Sequence, residues 1–302
     1  KKILVTGASG FIGSNLSKSL TNYGLTVLTT DLVGDVDFKT DLRYANWEEM
    51  NLRDIFGVVH LAAKISVPES FEDPELYHEV NVDATRKFFE CCVEAEVPRI
   101  VFASSAAVYG DVEGGVMKIG SENLPTSPYA ETKILGEKLA NDLATESTRI
   151  TCLRFFNVYG PGEEHKGKMA SVIYHFNRQI LDHGIANLFK GSHGFEDGEQ
   201  LRDFIFVKDI AEVNLWFYQN SHVSGIFNLG TGISNSFNQI AHEIINWHGK
   251  GEINYIDFPE NLKGTYQAET KADIGNLRKI GYQKKFTDIH NGIEQYLNYL
   301  VE

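Results

Sequence analysis

The sequence predicts an α/β protein, with a doubly wound parallel sheet followed by a smaller α/β lobe. Three observations carry this. Apolar runs of strand length alternate with helix-period segments from Lys2 to Asn157, the pattern of a parallel sheet covered on both faces. A glycine-rich turn, "TGASGFIG", joins the first apolar run to the first helical pattern. After Gly160 the rhythm changes, and helical patterns come with only short strands between them.

The elements follow in order. "KILVT", Lys2 to Thr6, is a short apolar strand with turn residues directly after it. Phe11, Ile12, Leu16 and Leu20 form a helical stripe that Gly24 ends. "TVLTTD" (Thr26–Asp31), "VVHLAA" (Val58–Ala63), "RIVFASS" (Arg99–Ser105) and "ITCLRFFN" (Ile150–Asn157) read as further strands. Helical patterns at Val82–Glu96 and Tyr129–Glu146 lie between them. Beyond Gly160, helices are expected at Met169–His183, Asp209–Gln219, Asn238–His248 and about Phe286–Val301. Short strands are expected at Phe204–Val207 and Ile226–Leu229, and a glycine-rich loop at Gly191–Gly198. Residues 1–160 form the expected dinucleotide domain. Residues 161–302 form mainly a substrate lobe, with segments returning to the main sheet.

The bulk numbers narrow the function. With 302 residues, 42% hydrophobic and 23% charged, the chain reads as an ordinary soluble protein. Lys+Arg 28 against Asp+Glu 41 gives a net charge of −13. That balance disfavours a nucleic-acid partner, which needs a basic footprint, yet leaves room for a local basic pocket. Cys91, Cys92 and Cys152 lack metal or redox spacing. They read as reduced thiols of a cytoplasmic protein. No apolar run reaches the length of a membrane span and no signal-peptide pattern opens the chain.

Gly7, Gly10 and Gly13 lie as G-x-x-G-x-x-G between a strand and a helix. Gly7 permits the tight turn, Gly10 the approach of a pyrophosphate, and Gly13 close packing of helix on strand. The helix N-terminus then offers N–H groups to the phosphates, the arrangement of a Rossmann-type dinucleotide site. Asp31 ends the second strand, 18 residues after Gly13. A carboxylate there accepts ribose hydroxyls and repels a 2′-phosphate. Lys39 is the first basic residue after it, so NAD is expected, with NADP as the alternative. "TDL", Thr40 to Leu42, is placed to wrap the adenine.

"SPYAETK" sets Tyr129 and Lys133 four residues apart on one helix face. A lysine ammonium beside a phenol favours the phenolate, and the tyrosine then serves as general base toward a hydroxyl. Ser104 and Ser105 end the fourth strand. A hydroxyl there shares the substrate oxygen with Tyr129.

"TGASGFIG", "LAAK", "ASSAAVYG" and "YAETK", in this order, resemble the extended short-chain dehydrogenase/reductase superfamily acting on nucleotide-sugars. In the second half, "RFFNVYGPGEEHKGKMASV", "LFKGS", "LRDFIFVKDIAEVNLWF", "SGIFNLGTG" and "LKGTYQAET" resemble the ADP-L-glycero-D-manno-heptose 6-epimerases almost segment by segment. "HKGKMAS" and "LKGTYQA" are the specific parts. The resemblance implies a nucleotide-sugar epimerase, a nucleotide-diphosphate sugar as partner, no membrane, and a homo-oligomer.

It also implies roles. Tyr129 and Lys166 would be paired acid/bases, because the two epimers present their hydroxyl in different directions. Lys133 would tune Tyr129, and Ser105 would assist. The cofactor cradle would take in Phe11, Ile12, Leu32, Asp41, Leu42, Leu61, Ala62, Ala63, Lys64 and Val158. Asn81, Asn157, Lys168, His175, Phe189, Lys190, Gly191, Ser192, Arg202 and Tyr266 would contact the substrate. Arg202 has an independent argument, since an arginine fork suits a diphosphate. His175 alone reads as a helix histidine. The alternative for Lys166 is a loop lysine that neutralises phosphates.

One stretch departs from the heptose pattern. "KISVPESFEDPELYHEVNV", Lys64 to Val82, looks more like UDP-hexose 4-epimerases and their dehydratase relatives. A dehydratase wants an acidic residue just after the catalytic Ser/Thr, where this chain has Ala106 and Ala107. A dinucleotide-sensing regulator, the non-enzymatic alternative, has no need of Ser105, Tyr129 and Lys133.

Overall fold

In the computed structural model the described residues are 1–112, 114–122, 124–260, 264 and 266–302. Leu262, Lys263 and Thr265 of the "LKGTYQA" motif lie outside them. Seven parallel strands form the main sheet, in the order Gly225–Leu229, Arg149–Phe155, Arg99–Ser105, Ile55–His60, Lys2–Thr6, Thr26–Asp31 and Phe38–Lys39. Helices cover both faces through two apolar clusters. Ile3, Val5, Leu16 and Ile210 belong to one, and Leu4, Val58, Phe88 and Phe102 to the other. Strand order reverses between Lys2–Thr6 and Ile55–His60. A crevice opens above the carboxyl ends of strands at such a switch point.

The chain after Gly160 divides its elements. Gly225–Leu229 joins the main sheet beside Arg149–Phe155. Leu201–Phe206 instead pairs with Asn157–Tyr159 and Ser234–Ser236 in a separate three-stranded sheet. A third cluster, including Tyr159, Ile173, Phe204, Ile240 and Tyr296, packs these elements together.

Two expectations shift. The "VVHLAA" strand ends at His60, and Leu61–Ala63 form the rim instead. Thr6 Oγ1 turns the chain there by accepting from the Leu61 and Ala62 N–H groups at 3.2 and 3.1 Å. The apolar run "ITCLRFFN" is two strands in two sheets, Arg149–Phe155 and Asn157–Tyr159. Lys64–Val82 carries two short helices, Val67–Glu72 and Pro74–His78. Each has a capping residue, Ser66 or Asp73, that accepts from a backbone N–H, and a proline in its first turn. The strands Ile185–Phe189 and Glu252–Ile256, which pair with each other, have no counterpart among the expected elements.

Candidate functional site

A cavity of about 620 Å³ lies above the switch point, within the size range of small-molecule sites. Its floor is the glycine turn. Gly7 has φ +69°, and a Cβ on Gly13 would lie 2.0 Å from the Gly7 carbonyl oxygen. A side chain at Gly7 would press on the Ala62 backbone at 2.8 Å. The helix that begins at Phe11 aims its first turn, whose N–H groups lack intrahelical partners, at this space.

At one end the Asp31 carboxylate accepts from the Ser9 N–H at 2.9 Å and the Leu32 N–H at 2.6 Å. It is thereby fixed to the glycine turn. Phe11, Ile12, Leu32, Asp41, Leu42, Leu61, Ala62, Ala63, Lys64 and Val158 line the same cavity. Arg43, absent from the expected cradle, lines it as well. Its guanidinium grips Asp41 by two nitrogens, at 3.1 and 2.7 Å, and holds that carboxyl below the usual range. The cation that the fold brings to this end is Arg43 rather than Lys39, and it arrives already paired.

At the other end stand Ser105, Tyr129, Lys133 and Lys166. Tyr129 and Lys133 come from the helix Pro128–Leu143. It starts with a Ser127 cap, whose hydroxyl accepts from the Ala130 N–H, and with Pro128 in its first turn. Ser105 ends its strand because its hydroxyl accepts from the Ala107 N–H at 3.1 Å and turns the chain. Ser105 and Tyr129 both line the cavity, and the Ser105 hydroxyl acts on the Tyr129 phenol. Lys133 Nζ donates to the Ala103 carbonyl at 2.8 Å and lies 5.8 Å from the Tyr129 ring centre.

Burial governs this end. It pushes the Tyr129 phenol up, with the Ser105 hydroxyl acting the other way. It pushes Lys133 down to about 8, with the Glu137 carboxylate acting the other way. The expected lowering of Tyr129 by Lys133 is therefore absent. The ammonium is turned to the Ala103 carbonyl, and desolvation of the phenol dominates.

Lys166 comes from a different element, the segment Glu164–Met169, two tight turns broken at Gly167 (φ +54°). Its ammonium lies 5.2 Å from the centre of the Phe11 ring. Burial lowers its pKa, opposed by Glu163. Two contacts hold this loop. The buried Glu163 carboxylate accepts from the Ser171 N–H and O–H at 2.6 and 2.7 Å. Asn15 donates to the Pro161 carbonyl at 2.7 Å. His165 also lines the cavity.

The remaining expected residues are elsewhere. Asn81 is 2% exposed, with its amide engaged by Lys64 and Thr132. It is a support for the wall rather than part of the lining. Arg202, Tyr266, Phe189 and Ser192 belong to a second group outside the cavity lining. Arg202 lies over the Tyr266 ring at 4.6 Å, and Phe258 bridges the Phe189 and Tyr266 rings at 5.3 and 5.0 Å. Gln200 donates to Ser192 Oγ and to the Lys190 carbonyl, and the Gly191 N–H donates to Asp197. Lys190 points its ammonium at Asp257, 2.7 Å away. Lys168 and Asn157 are exposed, and His175 packs its ring near Tyr174. The structure thus brings the expected cofactor and acid/base residues into one cavity, and leaves the expected substrate contacts other than Ser105 outside its lining.

Sequence reasoning missed His60 and Thr6. His60 is fully buried, shares hydrogen bonds with Thr6 at 2.8 Å and Thr85 at 3.0 Å, and is pushed down to about 3 by burial. A lone histidine at a strand end carries no signal that separates it from a ligand.

A family model described as "NAD dependent epimerase/dehydratase family" matches residues 3–230. The UDP-N-acetylglucosamine 4-epimerase from Methanobrevibacter ruminantium M1, solved with UDP-N-acetylmuramic acid, is 29% identical with a TM-score of 0.89, over 100% of this chain and 98% of that one. MoeE5, solved with UDP-glucose and NAD, is 30% identical with a TM-score of 0.86, over 100% and 99%. The Helicobacter pylori ADP-L-glycero-D-manno-heptose-6-epimerase is 23% identical with a TM-score of 0.85, over 100% and 96%. At that identity the likeness is one of fold.

Proposed function

Because the chain belongs to the NAD dependent epimerase/dehydratase family, we propose that it inverts a carbinol centre of a nucleotide-sugar, as an ADP-D-glycero-D-manno-heptose 6-epimerase. The observation that carries this reading is that Lys166 and Tyr129 line one cavity from different elements. A reaction that needs one acid/base per epimer requires two such groups. The "HKGKMAS" and "LKGTYQA" segments support the heptose substrate.

The glycine cradle and Asp31 fit NAD. No side chain fits at Gly13 without meeting the Gly7 carbonyl, and Asp31 offers a carboxylate to ribose hydroxyls. When bound, the nicotinamide supplies reversible hydride transfer at the carbinol carbon. Tyr129 takes the proton from the hydroxyl of one epimer, with Ser105 sharing that oxygen. Lys133 holds the Ala103 end of the strand, with its ammonium 5.8 Å from the Tyr129 ring centre. Lys166 holds or takes the proton for the other epimer, and partial burial eases its loss of charge.

A second reading, a UDP-hexose 4-epimerase, is favoured by the Lys64–Val82 segment and by UDP-sugar structures 29–30% identical to this chain. Incubation with ADP-D-glycero-D-manno-heptose and, separately, with UDP-glucose, followed by NMR of the sugar, decides between them. Inversion at C6 of the heptose is expected. Inversion at C4 of the hexose, with the heptose unchanged, would replace the first reading by the second.

A further inference from the structure

Three residues on one face of the Tyr129 helix meet three consecutive residues of the strand Arg99–Ser105. Tyr129 stands at the Ser105 end, where both line the cavity. Lys133 Nζ donates to the Ala103 carbonyl at 2.8 Å. One turn further, Glu137 Oε1 accepts from the Ser104 hydroxyl at 2.6 Å. Gly136 lets the helix come this close, since a Cβ there would lie 2.4 Å from the Phe102 ring. Glu137 is itself fixed by the Arg154 fork, Nε to Oε1 at 2.8 Å and Nη2 to Oε2 at 2.7 Å. The Arg154 side chain is 4% exposed and that of Glu137 7%. Arg154 also pairs with Glu122 and lies over the Tyr109 ring at 4.7 Å.

We propose that Glu137 is a positioning residue: its carboxylate, held by Arg154, fixes the end of the Ser105 strand against the Tyr129 helix and balances the Lys133 charge. A buried carboxylate with this many partners costs desolvation that an apolar side chain would avoid. Its placement one turn from Lys133 and on the residue next to Ser105 gives it an effect that reaches the reacting end of the cavity. The groups facing Lys133 are Tyr129 and Glu137 on its own helix, His60 from the neighbouring strand, and the Phe102 ring. Those facing Glu137 are Ser104, Arg154 and Cys152, with Glu122 behind Arg154. Among these, Glu137 is the carboxylate that bears directly on Lys133.

The inference rests on the proposed use of Tyr129 and Lys133, but its test does not need turnover. In the lysine-labelled 302-residue chain, the Lys133 resonance, identified by its loss in Lys133→Arg, is titrated by NMR. Glu137→Gln should lower the Lys133 midpoint by about one pH unit, while Glu137→Asp, which keeps the charge but draws it back, lowers it less. An unchanged midpoint in folded Glu137→Gln overturns the proposal. Should that variant not fold, an unchanged midpoint in Glu137→Asp does the same. Failure of the wild-type protein to turn over any nucleotide-sugar counts against the proposed function and leaves this midpoint as the deciding result.

Discussion

Asn81 grips both backbone groups of Lys64: its side-chain oxygen accepts from the Lys64 N–H at 2.8 Å, and its amide nitrogen donates to the Lys64 carbonyl at 2.9 Å. The same nitrogen donates to Thr132 Oγ1 at 3.0 Å, next to Lys133 in sequence. The cavity wall at Lys64 is thereby tied to the helix that carries Tyr129 and Lys133. Asn81 lies in a stretch of π-helix, Glu79–Ala84, an irregularity frequent near functional sites. Asn81→Ala would leave two backbone groups without partners, and should cost roughly 2–4 kcal/mol in urea unfolding. Asn81→Asp keeps one bond and should fall between. A loss under about 0.5 kcal/mol would mean that the wall holds without it.

The glycine turn gives a paired prediction. Gly13→Ala puts a Cβ 2.0 Å from the Gly7 carbonyl, so the turn must open and NADH affinity should fall at least about tenfold. Gly24 has φ +79°, but a Cβ there would meet none of the described heavy atoms within 4 Å. Gly24→Ala should lose about 1 kcal/mol of stability and bind NADH as before. Fluorescence titration and thermal melts of both variants separate crowding from backbone strain.

Cofactor choice should follow Asp31 and the Arg43–Asp41 pair. Arg43 is already engaged by Asp41 and stands 3.6 Å from Glu79, so it has little left to offer a 2′-phosphate. NADH should bind at least about tenfold more tightly than NADPH. Asp31→Asn should narrow that gap, and equal affinities in the wild-type protein would contradict this account of the pocket.

Lys133 predicts a pH dependence of stability. Its folded pKa, about 8, lies below the ordinary 10.5, because burial disfavours the ammonium. Between those values the unfolded chain holds the proton that the folded chain has lost. Stability from this group therefore rises with pH across that window, and below about 8 the full penalty remains. Wild-type protein should gain roughly 3 kcal/mol relative to Lys133→Met between pH 8 and 10.5. Parallel stability curves for the two proteins would mean that the ammonium is not disfavoured inside.

The legible parts of this molecule are those where local pattern and fold agree. The strands Lys2–Thr6, Thr26–Asp31 and Arg99–Ser105 stand where their apolar runs place them. The glycine spacing and the Tyr129–Lys133 interval are short-range signals that the local backbone fixes. Arg43 is not legible, because its place in the cavity depends on the two-residue strand Phe38–Lys39 joining the sheet edge. Glu137 and Arg154 are 17 residues apart in sequence and meet only when helix and strand pack. The run "ITCLRFFN" misleads because apolar residues do not show where a chain leaves one sheet for another. The short helices after Lys64 have visible local signals, Ser66 and Asp73 shortly before prolines.

The proposed function has Tyr129 and Lys166 serve opposite epimers from different elements that line one cavity. Its most direct test is a half-reaction. Wild-type, Tyr129→Phe and Lys166→Met proteins loaded with NAD are each mixed with either pure epimer of the ADP-heptose, and bound dihydronicotinamide is followed by absorbance. Each variant should reduce its cofactor with one epimer only, and the two variants should favour opposite epimers, while neither interconverts them. Interconversion by Lys166→Met at the wild-type rate would contradict the claim and leave Lys166 as a phosphate ligand.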